Sequence, residues 1–238
     1  MSRKYIIGVM QQYFTDVSLH KGDVEKLDKE SLRHLKVVLR KDEDYVFRMA
    51  DRDGKIFLSH LKDDSYEIIE ELDEDNELSV KITVVFSLIK PDRFEWGLQK
   101  LTELGASRIV PFVARRSVIR KEGKNTLERY RKICREAAEQ SHRNYIPEVT
   151  EYTSMKDLKD YLSDVNILAY EKEDPHVREI PLSGRTVTLF IGPEGGLTEE
   201  EVSELKELGF SSVSLGKRIL RAETAAVYLT SIVGERVR

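Results

Sequence analysis

Two glycine-rich corners near the end of the chain, at residues 192–196 and 214–216, most constrain what this sequence can fold into. A strand-like run precedes each corner, at residues 187–191 and 211–215, and a helical pattern follows. Strand-to-helix corners of one open parallel sheet lie at its carboxyl edge, where ligands of such folds bind. The sequence therefore predicts an α/β fold with a ligand site at that edge, although two ordinary tight turns would give the same glycines.

The helices after the corners carry clear start and stop signals. Thr198 and Glu201 have the spacing of a capping box, acidic residues 199–201 suit the positive end of the helix dipole, and Gly209 ends the pattern. The last helix is predicted from apolar residues at i, i+3 and i+4 spacing, which are Ala222, Ala225, Ala226, Leu229, Ile232 and Val233. Neither corner is a GxGxxG or GxxxxGK[ST] motif, so an NAD enzyme is a distant alternative.

The rest of the second half alternates strands with helices. Residues 80–89 form an apolar strand, Pro91 opens a helix that Gly105 ends, and residues 109–113 form the next strand. This is the β-α-β order of a parallel sheet. A further strand is predicted at residues 166–170, with its carboxyl end beside the two corners.

The first 75 or so residues are typical of a small β-rich unit. Its predicted elements are a strand at 5–9, a helix at 28–40, a hairpin of 45–49 with 55–58, and a strand at 66–72. The acidic stretch 73–77 has no apolar residue, and we interpret it as a linker. We therefore expect two domains, residues 1–73 and residues 78–238.

Charge is distributed unevenly along the chain. The net charge of −4 argues weakly against a polyanionic partner, but residues 63–77 carry nine acids and no base. Residues 115–135 carry nine bases against Glu122 and Glu128. Local potential decides phosphate contact within a Debye length of about 10 Å, so the basic run indicates a nucleic-acid surface. The alternative is an ordinary solvated face.

Composition excludes several classes of protein. The 238 residues are 40% hydrophobic and 34% charged, which is typical of a globular chain and not of a disordered one. No apolar run is long enough to span a bilayer and no signal peptide is evident, so we expect a cytoplasmic protein without membrane contact. The single Cys134 cannot form an internal disulfide, and five scattered histidines give no metal spacing.

Together, the corner motifs closely resemble those of the RsmE ribosomal-RNA methyltransferases, which belong to the SPOUT class. The residues that carry the resemblance are Gly192-Pro193-Glu194-Gly195-Gly196 and Leu215-Gly216-x-Arg218-Ile219-Leu220-Arg221-x-Glu223-Thr224-Ala225. Further matches lie at residues 34–40, 100–105, 115–117 and 136–143. The resemblance implies a C-terminal SPOUT α/β trefoil-knot methyltransferase domain, a small N-terminal PUA-like β-barrel that holds RNA, and a homodimer formed through the last helix.

The resemblance also implies an activity, namely S-adenosylmethionine-dependent methylation of a uridine N3 in 16S ribosomal RNA of the small subunit. The cofactor-binding residues that it implies are Leu168, Gly192, Glu194, Gly195, Gly196, Leu215, Gly216, Ile219 and Leu220. Leu168 has an ordinary core position as its alternative. The candidate RNA contacts are Arg40, Arg115, Arg116, Arg120 and Arg143.

Loss of the uridine imide proton calls for a base or for a cation that stabilises the anion. Our base candidates are Glu194 and Glu223, and Arg221 is the candidate stabiliser. Each has an alternative role, because the glutamates can hold the cofactor or cap a helix and Arg221 can pair with one of them. Two other functions stay open: a ribose 2′-O-methyltransferase of the same class, and an RNA-binding assembly factor without transfer activity.

Overall fold

The computed structural model describes residues 10–117, 124–174, 176, 180 and 183–237. Contacts divide the chain into two compact units. The first consists of Met1–Glu77 and Glu139–Tyr145, and the second of Leu78–Ala138 and Ile146–Arg238. The predicted strand at residues 5–9 lies outside the described residues.

The first unit contains a mixed sheet with five strands among its described residues, in the order β1-β3-β4-β5-β2. The strands are β1 Gln12–Phe14, β2 Val24–Lys26, β3 Val46–Ala50, β4 Ile56–Lys62 and β5 Ser65–Leu72. β1 pairs with β3 in parallel and the other pairs are antiparallel. The predicted hairpin and the strand that follows it correspond to β3, β4 and β5, whereas sequence patterns did not predict β1 and β2.

The predicted helix at residues 28–40 is only partly regular. Asp28 caps a short helix, α1 Lys29–Arg33, by accepting hydrogen bonds from the backbone of Glu30 and Ser31. The chain then continues as a π-helical turn, His34–Val38. Arg40 follows this turn in the left-handed region, with φ of 52°, so its backbone leaves the helical path. The predicted helix at residues 28–40 is therefore helical over residues 29–38, as an α-helix that continues into a π-helical turn.

The acidic stretch 73–77 is more than a solvated linker. Arg48 is fully buried, and its guanidinium donates to both carboxylate oxygens of Glu74, at 3.3 and 2.5 Å. These bonds lower the pKa of Glu74. Glu77 is bound in the same way by the buried Arg143, whose Nε lies 3.1 Å from Oε1. Two of the acids therefore neutralise buried arginines of the first unit.

The second unit is built on a parallel sheet, with six strands among its described residues in the order β11-β9-β10-β6-β7-β8. The strands are β6 Lys81–Ser87, β7 Ala106–Phe112, β8 Glu148–Val149, β9 Val165–Ala169, β10 Thr186–Ile191 and β11 Ser211–Val213. Every pair is parallel. The predicted α/β class with a parallel sheet is confirmed.

Helices cover both faces of this sheet. They are α2 Pro91–Glu103, α3 Lys124–Gln140, α4 Glu199–Glu207 and α5 Ala222–Arg236, together with a 3₁₀ helix, Met155–Tyr161. Leu189 of β10 packs in one apolar cluster with α2 and α5, while the next residue, Phe190, packs in a second cluster with α4. Alternate residues of a strand point to opposite faces, so both faces of this strand are buried.

Strand register places three loops at one edge of the sheet. Ala169, the last residue of β9, pairs with Ile191, the last residue of β10, and with Val213, the last residue of β11. Because the three strands are parallel and end level, the loops after them leave the sheet at the same edge. In the described residues, no helix is long and apolar enough to cross a membrane.

Candidate functional site

A cleft of about 480 Å³ lies where these three loops meet. The loop after β9 contributes Ala169 to Glu171, the loop after β10 contributes residues 191–197, and the loop after β11 contributes residues 214–222. Arg93 of α2 and Ala225 of α5 complete the lining. The structure thus brings the two predicted glycine corners together at the carboxyl edge of the sheet, where doubly wound folds bind ligands.

The first corner depends on glycine, because a side chain there would clash with a neighbouring residue. Gly196 has φ of 68°, and its N–H donates to the Pro193 carbonyl at 2.9 Å to close the turn. A Cβ at Gly196 would stand 2.9 Å from Oε1 of Glu171. The helix behind the corner starts as predicted, because Thr198 and Glu201 cap α4 reciprocally.

The second corner has a different shape. Gly216 has φ of 117°, and a Cβ there would meet nothing within 4 Å, so its backbone faces open space. Its N–H lies 3.3 Å from the Ser214 hydroxyl oxygen, which accepts the hydrogen bond. The two corners therefore present backbone to the cleft from two loops, one tightly packed and one open.

An arginine that sequence reasoning missed connects both candidate bases. Arg93 lies in the first turn of α2, donates to Oε1 of Glu194, and has its Nε 3.9 Å from Oε1 of Glu223. Arg93 lies six residues after the end of β6, a neighbour of β10 in the parallel sheet, so its position in the first turn of the next helix was the available signal.

The two glutamates differ in access. Glu194 lines the cleft, whereas Glu223 is 7% exposed and does not line it. Within the described part of the chain, Oε2 of Glu223 has no hydrogen-bond partner. Arg221 lines the cleft and is exposed, at the position before α5 begins. Glu223 stays a predicted base that is buried outside the lining, whereas Glu194, the other candidate, lies in the lining.

All the residues predicted to hold a cofactor line the cleft except Leu168. Leu168 is fully buried in the apolar cluster with Phe190 and does not line the cleft, which is the environment of its alternative core position, and its place in an adenosine wall stays a prediction. The neighbouring Ala169 lines the cleft instead. Ile219 lies in the lining but is 86% exposed, whereas Leu215 and Leu220 are half-buried.

Four of the described cations in the basic run at residues 115–135 form ion pairs with acids of the fold. The ion pairs of the described residues are Arg115 with Glu200 and Glu204, Arg129 with Glu95, Arg131 with Glu151, and Lys132 with Glu136. Arg116 is exposed, and its guanidinium reaches the carbonyls of Gly195 and Leu197 at 3.4 Å each. The strong positive patch that the sequence indicated is therefore weakened by pairing.

The remaining predicted RNA contacts have different environments. Arg40 is exposed in the first unit, whereas Arg143 is 3% exposed and bound to Glu77, which contradicts its predicted role as a surface cation. Arg120 lies outside the described residues.

Unpaired cations occur instead at the cleft itself. Lys217, Arg218 and Arg221 are exposed lining residues, and none of them has an ion-pair partner in the part of the chain that the structure describes. Lys217 was not singled out from the sequence, and Arg218 only as a motif residue, because a short basic cluster next to a glycine is a weak signal on its own.

The fold and the cleft agree with the comparisons to known proteins. A family model described as RNA methyltransferase domain matches residues 76–234. Ribosomal RNA small subunit methyltransferase E of Bacillus subtilis (strain 168) is 36% identical, covering 94% of this chain and 96% of that protein. Its namesake in Mesomycoplasma hyopneumoniae (strain 232) is 33% identical, covering 84% of this chain and 88% of the relative.

A solved structure shows the same likeness in three dimensions. The crystal structure of a ribosomal RNA small subunit methyltransferase E from Neisseria gonorrhoeae, bound to S-adenosyl methionine, has a TM-score of 0.87 and 31% identity. The match covers 95% of this chain and 98% of that one. A parallel sheet with a loop-lined cleft and the match over residues 76–234 define the class, which is that of proteins with an RNA methyltransferase domain.

Within that class, the chain belongs to the ribosomal RNA small subunit methyltransferase E family. This confirms the resemblance carried by the two corner motifs.

The Arg93 contacts predict an energetic coupling that a double-mutant cycle can measure. We expect a coupling of about 0.5–1 kcal/mol between Arg93→Gln and Glu194→Gln, because both side chains of this pair are partly exposed. The coupling with Glu223→Gln should be weaker, since that pair is longer. Urea unfolding followed by the fluorescence of the single Trp96, also in α2, gives the free energies. Zero coupling to Glu194 would contradict the contact.

Proposed function

We propose that this protein transfers a methyl group from S-adenosylmethionine to N3 of a uridine in the ribosomal RNA of the small subunit. The observation that carries the proposal is the cleft of three level loops with two glycine corners, in a chain of this family. The relative from Neisseria gonorrhoeae, of matching fold, is bound to S-adenosyl methionine. The names of the relatives support ribosomal RNA of the small subunit as the substrate.

The cleft suits this cofactor in size and in lining. Its volume of about 480 Å³ lies in the range of small-molecule sites. The glycines of the corners at residues 192–196 and 214–216 bring backbone into the lining, and without side chains they allow a nucleoside to approach it closely. The half-buried Leu215 and Leu220 add apolar lining. These residues would hold the cofactor, which supplies an electrophilic sulfonium methyl group when bound.

The residues of the cleft can assist the transfer by positioning and by charge. The uridine imide must lose its proton so that N3 can attack, and a carboxylate within reach can accept that proton. Glu194 lines the cleft and is the better placed acceptor. Glu223 is buried, and its Oε1 lies 3.9 Å from Nε of Arg93. Arg221, exposed in the lining, can stabilise the uridine anion.

RNA is bound, in this proposal, by the unpaired cations at the cleft. Lys217, Arg218 and Arg221 can pair with phosphates without first breaking an ion pair in the described structure. Arg115 and Arg116 lie beside the first corner and can contribute, although Arg115 is already paired with Glu204. Arg40, exposed in the first unit, stays a candidate contact there.

Several features implied by the family resemblance belong to the same proposal. They are a trefoil knot formed by the C-terminal segment, a PUA-like barrel in the first domain, and domain bounds of 1–73 and 78–238. The parallel sheet of the second unit and the five-stranded sheet among the described residues of the first are compatible with them. The proposed second domain includes Glu139–Tyr145, a segment that contacts assign to the first compact unit.

The activity is tested with labelled S-adenosylmethionine and small ribosomal subunits that lack the modification. We expect label in the 16S ribosomal RNA and 3-methyluridine in the digested nucleosides, identified by mass spectrometry. Label in a 2′-O-methylated nucleoside would support the ribose alternative. RNA binding without any incorporation would support the assembly factor, and either result would overturn the proposal.

Two variants within the same assay identify the base. Glu194→Gln should cut turnover at least about tenfold, since a general base typically contributes a hundredfold or more. Cofactor affinity, measured by calorimetry, should change less than turnover. Glu223→Gln should lower turnover less if Glu194 is the base, and Glu207→Gln is the matched control, because it removes the same charge from an exposed position outside the cleft. Normal turnover of Glu194→Gln would contradict its role.

The unpaired cations predict a specific salt dependence. Each phosphate contact that is lost should make the slope of log affinity against log salt shallower by about 0.7–0.9. We expect Lys217→Gln with Arg218→Gln to reduce the slope by roughly one to two. Arg129→Gln is the control, because Arg129 is already paired with Glu95, and its effect should be smaller. Fluorescence anisotropy with an RNA fragment measures both, and equal slopes for all proteins would refute this assignment.

We also propose a homodimer through the second unit. The apolar stripe of the last helix, from which the dimer was predicted, packs instead inside the chain. Ala222, Ala226 and Leu229 of α5 are already buried within the chain. The support comes instead from two exposed aromatics on packed helices, Trp96 of α2 at 45% and Tyr228 of α5 at 47%.

Sedimentation velocity tests the homodimer. We expect a dimer at micromolar concentration, and Tyr228→Ser should shift it toward monomer because it removes apolar area from the proposed contact. Val24→Ser, at an exposed position of the first unit, should leave the dimer intact. A monomeric protein at these concentrations would remove the proposal.

A further inference from the structure

Two carboxylates line the cleft among the described residues, and their surroundings differ. Glu194 accepts a hydrogen bond from Arg93, so its charge is balanced by a direct partner. Glu171 lines the same cleft, and within the described residues it has neither an ion-pair nor a hydrogen-bond partner. Because pairing with Arg93 cancels much of the field of Glu194, Glu171 is the carboxylate whose field is uncompensated by a partner among the described lining residues.

The fold keeps Glu171 beside the first glycine corner. Glu171 follows two residues after β9, and its Oε1 stands 2.9 Å from the position that a Cβ on Gly196 would take. The left-handed backbone of Gly196, with φ of 68°, turns the corner at this point. The absence of a side chain at Gly196 therefore gives the carboxylate its place against the corner, on the loop between the other two in the sheet order.

The other charges of the cleft favour anions. With Arg93 bound to Glu194, the lining retains the unpaired Lys217, Arg218 and Arg221. Such a surface attracts RNA phosphates and disfavours a ligand with net positive charge. Glu171 opposes that preference locally, because a carboxylate attracts a cation within a Debye length.

The methyl donor and its product differ in net charge. Both carry an amino-acid part whose ammonium and carboxylate cancel, so the sulfonium gives the donor its net charge of about one. In transfer, N3 forms a bond to the methyl carbon while the carbon–sulfur bond breaks. The electron pair of that bond stays on sulfur, the imide proton goes to the base, and the product thioether is neutral. An isolated carboxylate can therefore distinguish donor from product.

We propose that Glu171 is a charge-selective residue that favours S-adenosylmethionine over S-adenosylhomocysteine in this cleft. The inference rests on the proposed function, because it takes the methyl donor as the ligand. Its attraction acts on the donor and vanishes when the sulfonium is discharged. Glu171 thereby favours exchange of spent product for fresh donor, in a cleft whose other unpaired charges are positive.

Calorimetric dissociation constants for donor and product, with wild type, Glu171→Gln and Glu171→Asp, test the proposal. Glu171→Gln should weaken donor binding about fivefold and leave product binding within about twofold, as expected for one screened charge pair. Glu171→Asp should restore most of the preference, because it keeps the charge. Raising the salt concentration should reduce the donor preference of wild type and not that of Glu171→Gln.

Glu207→Gln is the matched control, since it removes one exposed acid from the last turn of α4, outside the cleft lining. It should leave both constants unchanged. Equal weakening of donor and product by Glu171→Gln, or no change in either, would overturn the assignment to the sulfonium. A wild-type protein that binds neither ligand would instead refute the proposed function, so the two failures are distinguishable.

Discussion

The level ends of three parallel strands are the constraint on which the site depends. β9, β10 and β11 pair so that Ala169 lies opposite both Ile191 and Val213. The loops that follow must therefore start side by side, even though they lie far apart in the sequence. A shift of one strand by one residue would turn its side chains to the opposite face and move its loop away from the others. Burial of both faces of the sheet by helices is what fixes this register.

The cleft is divided by charge as well as by shape. One corner is packed tightly and contains Glu194, which Arg93 neutralises, and Glu171 of the neighbouring loop lies beside it. The other corner is open and is followed by unpaired cations at residues 217–221. In the proposed function the site takes a cationic small molecule and a polyanion, so it needs charges of both signs, and separate loops keep them from cancelling. Charge that cancelled within the cleft would attract neither ligand.

Local signals in the sequence predicted the elements that local physics decides. The capping box of Thr198 and Glu201 and the proline that opens α2 gave helix starts that the structure confirms. The helix at residues 28–40 was predicted as continuous, but it changes to a π-helical turn after Arg33. The spacing of its apolar residues fits an α-helix and a π-helical turn equally well. The choice between them depends on tertiary packing, which the periodicity of a sequence does not report.

Charge pairing was the part that sequence could not predict. The basic run at 115–135 was predicted to be a nucleic-acid surface because many bases lie close together in the sequence. In the fold, acids distant in sequence, such as Glu95 and Glu204, neutralise part of it. Arg143 is bound by Glu77 across 66 residues of chain. A short stretch of sequence does not reveal an ion-pair partner that lies many residues away. Among the described lining residues of the cleft, Lys217, Arg218 and Arg221 are left without an ion-pair partner, and a ligand can supply one there.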